Sequence, residues 1–231
     1  MKVEFNEKFV LHEGGKIVFF RFIRVIVAIL VRILNGRPHF QNQNLLPKNE
    51  NYILVGPHRT WWDPLYFALA ASPRQFSFMA KEELFKNPIL RFILKHANAF
   101  PVDRKDPGPS AIKIPVRQLK NTHLSLIMFP SGTRHSKQLK GGVALIAKLA
   151  KVPLVPVVYQ GPLTFKDLLK RKKVYVRFGE PIDVSDITKV DQAGIAEVEH
   201  RMQIAFDELD HELNPQFVYI PTPVPEGDQE E

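Results

Sequence analysis

The sequence predicts an α/β protein: a mixed, largely parallel central sheet flanked by helices, preceded by an amphipathic N-terminal helical segment. Three observations carry this. Short apolar runs alternate with segments of helical period along most of the 231 residues. Apolar residues make up 45% of the chain, enough to bury a core. Before the first such run lies a long apolar stretch interrupted only by arginines.

That stretch, IVFFRFIRVIVAILVRIL from Ile17 to Leu34, has the length of a membrane span. Arg21, Arg24 and Arg32 argue against spanning, since each central arginine costs roughly 2.5–3.5 kcal/mol. At helical spacing the three fall within an arc of roughly 80°. A basic stripe on an apolar helix suits a helix lying in the headgroup plane. The competing reading is a core helix whose arginines face water. Gly36-Arg37-Pro38 ends the helix.

Tyr52–Val55 reads as a buried strand stopped by Gly56-Pro57. Asp63-Pro64 reads as a helix start, Asp at the N-cap and Pro at the first helical position, running to about Ala71. Strands are predicted over 75–80, 99–102, 124–129, 154–159 and 174–178. Helices are predicted over 89–96, 111–119 (despite Pro115), 143–150 and 197–213, the last from Val198, Met202, Ala205 and Leu209. Three units follow: a basic apolar helix over residues 1–40, a main domain over 41–215, and a Pro-rich then acidic tail over 216–231 expected to be disordered.

The absence of cysteine excludes disulfides, thiolate catalysis and cysteine-ligated zinc. No metal site and no cofactor is expected. The net charge of +8 favours anionic partners without choosing among nucleic acid, lipid and phosphorylated substrates.

Polar clusters follow several predicted strands, where open α/β sheets collect ligands. The first is Gly56-Pro57-His58-Arg59-Thr60-Trp61-Trp62-Asp63. A neutral imidazole takes a proton near neutral pH, and a carboxylate on its other nitrogen fixes the tautomer. A straight helix would splay residues five apart, so a loop bend is required. The second is Phe129-Pro130-Ser131-Gly132-Thr133-Arg134, a turn whose amides and guanidinium suit an oxyanion. Lys81 and Arg104, each just after a strand, offer further cationic contacts. Taken singly, each cluster also reads as an ordinary loop, turn or solvated charge pair.

Taken in order, they resemble something more specific. His58-x4-Asp63, Phe100-Pro101-Val102-Asp103-Arg104, Phe129-Pro130-Ser131-Gly132-Thr133-Arg134 and Val152-Pro153-Leu154-Val155-Pro156-Val157 follow the order of the four motifs of glycerolipid acyltransferases. Over about residues 50–180 the chain is similar to the bacterial 1-acyl-sn-glycerol-3-phosphate acyltransferases, the lysophosphatidate acyltransferases of phospholipid biosynthesis.

The resemblance implies that His58 is a general base oriented by Asp63, deprotonating the sn-2 hydroxyl of lysophosphatidate for direct attack on an acyl thioester to give phosphatidic acid. Arg134, and with it Lys81 and Arg104, would contact phosphate, while Ser131, Gly132 and Thr133 would help hold the substrate. The donor would be acyl-CoA or acyl-carrier protein, and the partner surface anionic lipid at the cytoplasmic face of the cell membrane, met peripherally. Two positions depart from the family's habit: Ser131 stands where Glu is frequent, and Pro57 where a small polar residue is usual. The first leaves open another lysophospholipid, or glycerol 3-phosphate, as acceptor. A non-catalytic basic module binding membrane or nucleic acid is the distant alternative, and no nucleic-acid partner is expected, since no nucleic-acid motif is visible.

Overall fold

The computed structural model describes residues 13–103, 106–134, 136 and 138–221. Among them the elements run α1 (Glu13–Asn35), β1 (His39–Gln41), β2 (Ile53–Val55), α2 (Asp63–Ala70), β3 (Gln75–Lys81), α3 (Pro88–His96), β4 (Ala99–Val102), α4 (Ser110–Asn121), β5 (Leu124–Met128), α5 (Gly142–Ala150), β6 (Leu154–Gln160), α6 (Phe165–Leu169), β7 (Tyr175–Phe178) and α7 (Gln192–Leu213). The strands form one seven-stranded sheet in the order β1-β7-β6-β2-β5-β3-β4. β6, β2, β5, β3 and β4 pair in parallel, and β7 runs antiparallel to β6. The predicted α/β class with a mostly parallel sheet is therefore observed.

Side-chain alternation along the central strands divides the core into two layers. Ile53, Val55, Leu126, Leu154 and Val158 face α5 and α7, meeting Val143, Ile146, Val198, Met202, Phe206 and Leu209. Leu54, Ile127, Val155 and Val157 face the opposite layer, where Tyr66, Phe67 and Ala70 of α2 cover them. Because β2, β5, β3 and β4 are parallel neighbours, the loops leaving their carboxyl ends emerge at one edge. That edge brings together residues far apart in the chain.

Several expectations need correction. Asp63 is not the N-cap of α2: Trp62 occupies that position and Asp63 is the first helical residue. β1 and α6 were not foreseen. β1 exists because His39, Phe40 and Gln41 pair with β7, and α6 is capped by Thr164, whose hydroxyl accepts from the Asp167 amide. Ten residues of the expected tail, 222–231, lie outside the described residues.

The N-terminal helix fits the core-helix reading only in part: Phe20 is buried, Val31 packs on the core and Arg21 and Arg32 are exposed, but much of the remaining apolar circumference is left uncovered. Arg24 turns toward the domain and donates to the Pro73 carbonyl at 3.1 Å. Phe22, Val25, Ile29 and Ile33 are instead 53–61% exposed. Fully burying such side chains is worth roughly 1.5–3 kcal/mol each, so an aqueous environment forfeits several kcal/mol along this face. The patch extends sideways. α1 touches α3 through the Phe19–Phe92 ring contact, and α3 exposes Ile89, Leu90, Phe92 and Ile93. No helix among the described residues is long and apolar enough to cross a membrane.

Candidate active site

Gly56 closes β2, and a side chain there would meet the Val157 carbonyl at 2.5 Å and the Phe67 ring at 2.9 Å. Only glycine lets the chain pass between β6 and α2 at this point. The chain then bends through Pro57–Trp62 before α2 begins, which is the bend that the His–Asp spacing requires. His58 Nδ1 comes to 3.2 Å from Asp63 Oδ2. The imidazole stacks on Phe129 with ring centroids 4.2 Å apart, so its plane is fixed from the β5 side.

Asp63 is wholly buried. Its carboxylate accepts from the Arg59 amide at 2.5 Å, the Thr60 amide at 2.8 Å and the Thr60 hydroxyl at 2.5 Å. A buried carboxylate needs such donors to offset its lost hydration. These bonds also pin the carboxylate against its own loop. A proton on Nδ1, shared with Asp63, leaves Nε2 with a lone pair to accept another.

Arg59 is a residue that sequence reasoning missed. Its side chain is nearly buried; Nη1 donates to the Tyr159 carbonyl at 2.6 Å and to Asp210 Oδ1 at 3.0 Å, and Nη2 pairs with the other Asp210 oxygen. Gln160 also donates to Asp210, at 3.0 Å. Arg59 thereby ties the His58 loop to β6 and α7. Nothing in the helical pattern around Asp210 marks it, because its partner lies 151 residues earlier. Below the loop, Trp62 Nε1 donates to the Tyr159 hydroxyl at 3.0 Å, which in turn donates to Pro162. Burial pushes the Tyr159 phenol far above its ordinary range, so it stays neutral.

The turn after β5 adjoins this loop. Gly132 adopts φ +69, the left-handed conformation that glycine tolerates. The Ser131 hydroxyl, in a buried residue, donates to the Thr133 carbonyl at 2.7 Å and so holds the turn. The Arg134 guanidinium lies 3.9 Å over the ring of Trp61, an exposed residue. Lys81 ends β3 at the same sheet edge, with Glu83 3.8 Å from its ammonium. Arg104 lies outside the described residues.

Residues 214–221, part of which the sequence reading assigned to the tail, cross over this arrangement. The Arg59 guanidinium faces the rings of Phe217 and Tyr219 at 4.9 and 5.5 Å. The Tyr219 hydroxyl lies 3.1 Å from the Arg134 carbonyl and 3.5 Å from that of Arg59, linking the two loops. A cavity of about 290 Å³ remains beside His58, bounded by Ser131, Phe206, Asp207 and Phe217. Removing the Tyr219 hydroxyl should cost about 1 kcal/mol of local order. A Tyr219→Phe variant is expected to lose activity severalfold while keeping its melting temperature within a few degrees, measured by steady-state assay and thermal scan.

The family described as Acyltransferase matches residues 37–160. The chain is 49% identical to the 1-acyl-sn-glycerol-3-phosphate acyltransferase of Streptococcus pneumoniae (strain ATCC BAA-255 / R6), over 91% of this chain and 80% of that one. It is 34% identical to the enzyme of the same name from Bacillus subtilis (strain 168), over 84% and 98% respectively. The fold is similar to the crystal structure of PlsC, the 1-acyl-sn-glycerophosphate acyltransferase of Thermotoga maritima, with a TM-score of 0.68 at 20% identity, covering 92% of this chain and 88% of that one.

Proposed function

The chain belongs to the acyltransferase family, and from that premise we propose that it acylates the sn-2 hydroxyl of 1-acyl-sn-glycerol 3-phosphate to give phosphatidic acid, with His58 as general base. The observation that carries this reading is the His58–Asp63 pair, 3.2 Å apart, with His58 at the wall of a cavity and Asp63 buried behind it. No cysteine is present to form an acyl-enzyme, and a base that activates the acceptor directly fits the geometry.

In this reading His58 Nε2 takes the proton of the acceptor hydroxyl as its oxygen attacks the thioester carbonyl. Asp63 stabilises the imidazolium that results. The new ester C–O bond forms, the C–S bond breaks, and the imidazolium returns its proton to the departing thiolate. The donor is a thioester of coenzyme A or of acyl-carrier protein, and the reaction calls for no metal or cofactor. Arg134, whose guanidinium stacks on Trp61, receives the acceptor phosphate, with Lys81 and Arg104 as further cationic contacts. Ser131 is committed to its own turn, so Gly132 and Thr133 offer backbone rather than carboxylate contacts to the acceptor.

The exposed apolar face of α1, rimmed by arginine, supports peripheral seating on a membrane. An interfacial enzyme takes an amphiphilic acceptor sideways from the leaflet.

The test is thiol release from acyl-CoA and from acyl-carrier protein, with and without lysophosphatidate. Lysophosphatidate-dependent release with at least one donor is expected; its absence with both refutes the reading. Faster turnover of another lysophospholipid or of glycerol 3-phosphate would reassign the acceptor. Arg134→Ala should raise the apparent KM for lysophosphatidate by about tenfold with a smaller change in kcat, the value of one charge-assisted hydrogen bond. An unchanged KM would remove Arg134 from phosphate binding.

A further inference from the structure

A second cationic site lies away from His58. Between α1 and α2 runs a groove of about 570 Å³ whose lining, among the described residues, includes Arg24, Arg32 and Arg37 and no carboxylate. Among the described residues none of the three arginines takes part in an ion pair. Burial, and then the charge of Arg21, hold the Arg24 guanidinium below its ordinary range. Arg24 and Arg32 stand two turns apart on one side of α1, and the small side chain of Ala28 between them leaves the space open.

The walls are not those of a site for a free ion. Val25, Val31, Phe40 and Leu69 line the same groove, and it opens beside the exposed apolar face of Phe22, Ile29 and Ile33. A ligand suited to both parts carries an anionic oxygen group on an apolar body. Guanidinium matches phosphate oxygens in bidentate fashion.

We propose that this groove binds the phosphate headgroup of one anionic glycerophospholipid, whose chains lie along the outward face of α1. It is separate from the acceptor site: Leu69 and Ser72 of the groove lie at the far end of α2 from Asp63, roughly 10 Å along the helix axis. The groove thus anchors the enzyme on a lipid that it does not acylate. This rests on the membrane-seated reading above, and it names the residues that would make the seating selective for charge.

Arg21 supplies the control. It lies on the same arc of α1, one turn before Arg24, carries the same charge and does not line the groove. The full chain is sedimented with vesicles of phosphatidylcholine, with or without phosphatidylglycerol, and the Arg21→Gln, Arg32→Gln and Arg37→Gln variants are compared after their melting temperatures are checked. A diffuse surface charge is worth about 1 kcal/mol, or roughly fivefold in binding. Charge-assisted hydrogen bonds in a built site are worth more, about thirtyfold. The expected result is a fivefold loss for Arg21→Gln and a thirtyfold loss for Arg32→Gln and Arg37→Gln in phosphatidylglycerol-dependent binding. Arg37→Lys, which keeps the charge but not the fork, should fall between. Equal losses in all three glutamine variants would overturn the groove and leave only diffuse attraction. A melting temperature raised by inorganic phosphate and not by phosphatidylglycerol vesicles would overturn the lipid assignment in favour of a free-phosphate site. Failure of the unmodified chain to bind either vesicle would refute membrane seating itself, and the groove with it, whatever the acyl-transfer assay shows.

Discussion

Alanine in place of His58 is expected to lower lysophosphatidate-dependent thiol release by about a thousandfold, the typical contribution of a positioned general base. The fold should tolerate the change, because the imidazole is replaced at a loop position and its main apolar contact, Phe129, stays anchored by Phe67. The loss should therefore fall on kcat, with apparent KM values for both substrates little altered. Asp63→Asn probes a different property. Asparagine retains the size but presents an amide N–H where donors now converge, so it disturbs Arg59 and Thr60 as well as the tautomer of His58. Activity should fall about a hundredfold or more, with a lower melting temperature. Full acyl transfer by His58→Ala would refute the base mechanism outright.

Asp210→Ala should produce the largest loss of stability among the changes considered. Removing one partner of a buried pair strands the other charge, here the Arg59 guanidinium, whose side chain is 3% exposed. Such losses run to about 3 kcal/mol, a sizeable part of the 5–15 kcal/mol that typically separates folded from unfolded domains. In a chain of this length that corresponds to a melting point lower by about 10 °C. Two groups limit the damage: the Tyr159 carbonyl still accepts from Arg59, and the Phe217 ring still faces it. The exposed Arg201–Asp186 pair gives the comparison, since Asp186→Ala should leave the melting point almost unmoved. Activity should follow stability in Asp210→Ala, because the Arg59 amide is one of the donors that fix Asp63. A melting point no lower than that of Asp186→Ala would show that the clamp contributes nothing.

The parts of the fold that rest on local signals were legible in the sequence. Leu124–Met128 and Leu154–Gln160 are apolar runs between turn residues and can hardly be anything but buried strands. The ends of these strands gave the site its rough address, since parallel strands carry their loops to one edge. What escaped was set by partners distant in sequence. His39–Gln41 has no strand pattern of its own and becomes one only by lying against Tyr175–Arg177. Asp63 reads as a helix cap until its carboxylate is seen turned back onto the loop that precedes it. The orientation of α1 was equally hidden. Periodicity marks its arginine stripe but does not say which part of the apolar circumference faces the domain, and that choice depends on contacts with Pro73 and with α3 and α6.

The clamp on Arg59 also has a temporal meaning. During synthesis His58 and Asp63 are made early, whereas Asp210 and Tyr219, which brace their loop, are made some 150 residues later. The central strand β2 likewise waits for β5 and β6 before it has neighbours. A nascent chain therefore carries His58 for most of translation without the structure that holds its loop. The brace is complete only after α7, so a ribosome-bound fragment ending before Asp210 carries the acyltransferase motifs with the His58 loop unbraced.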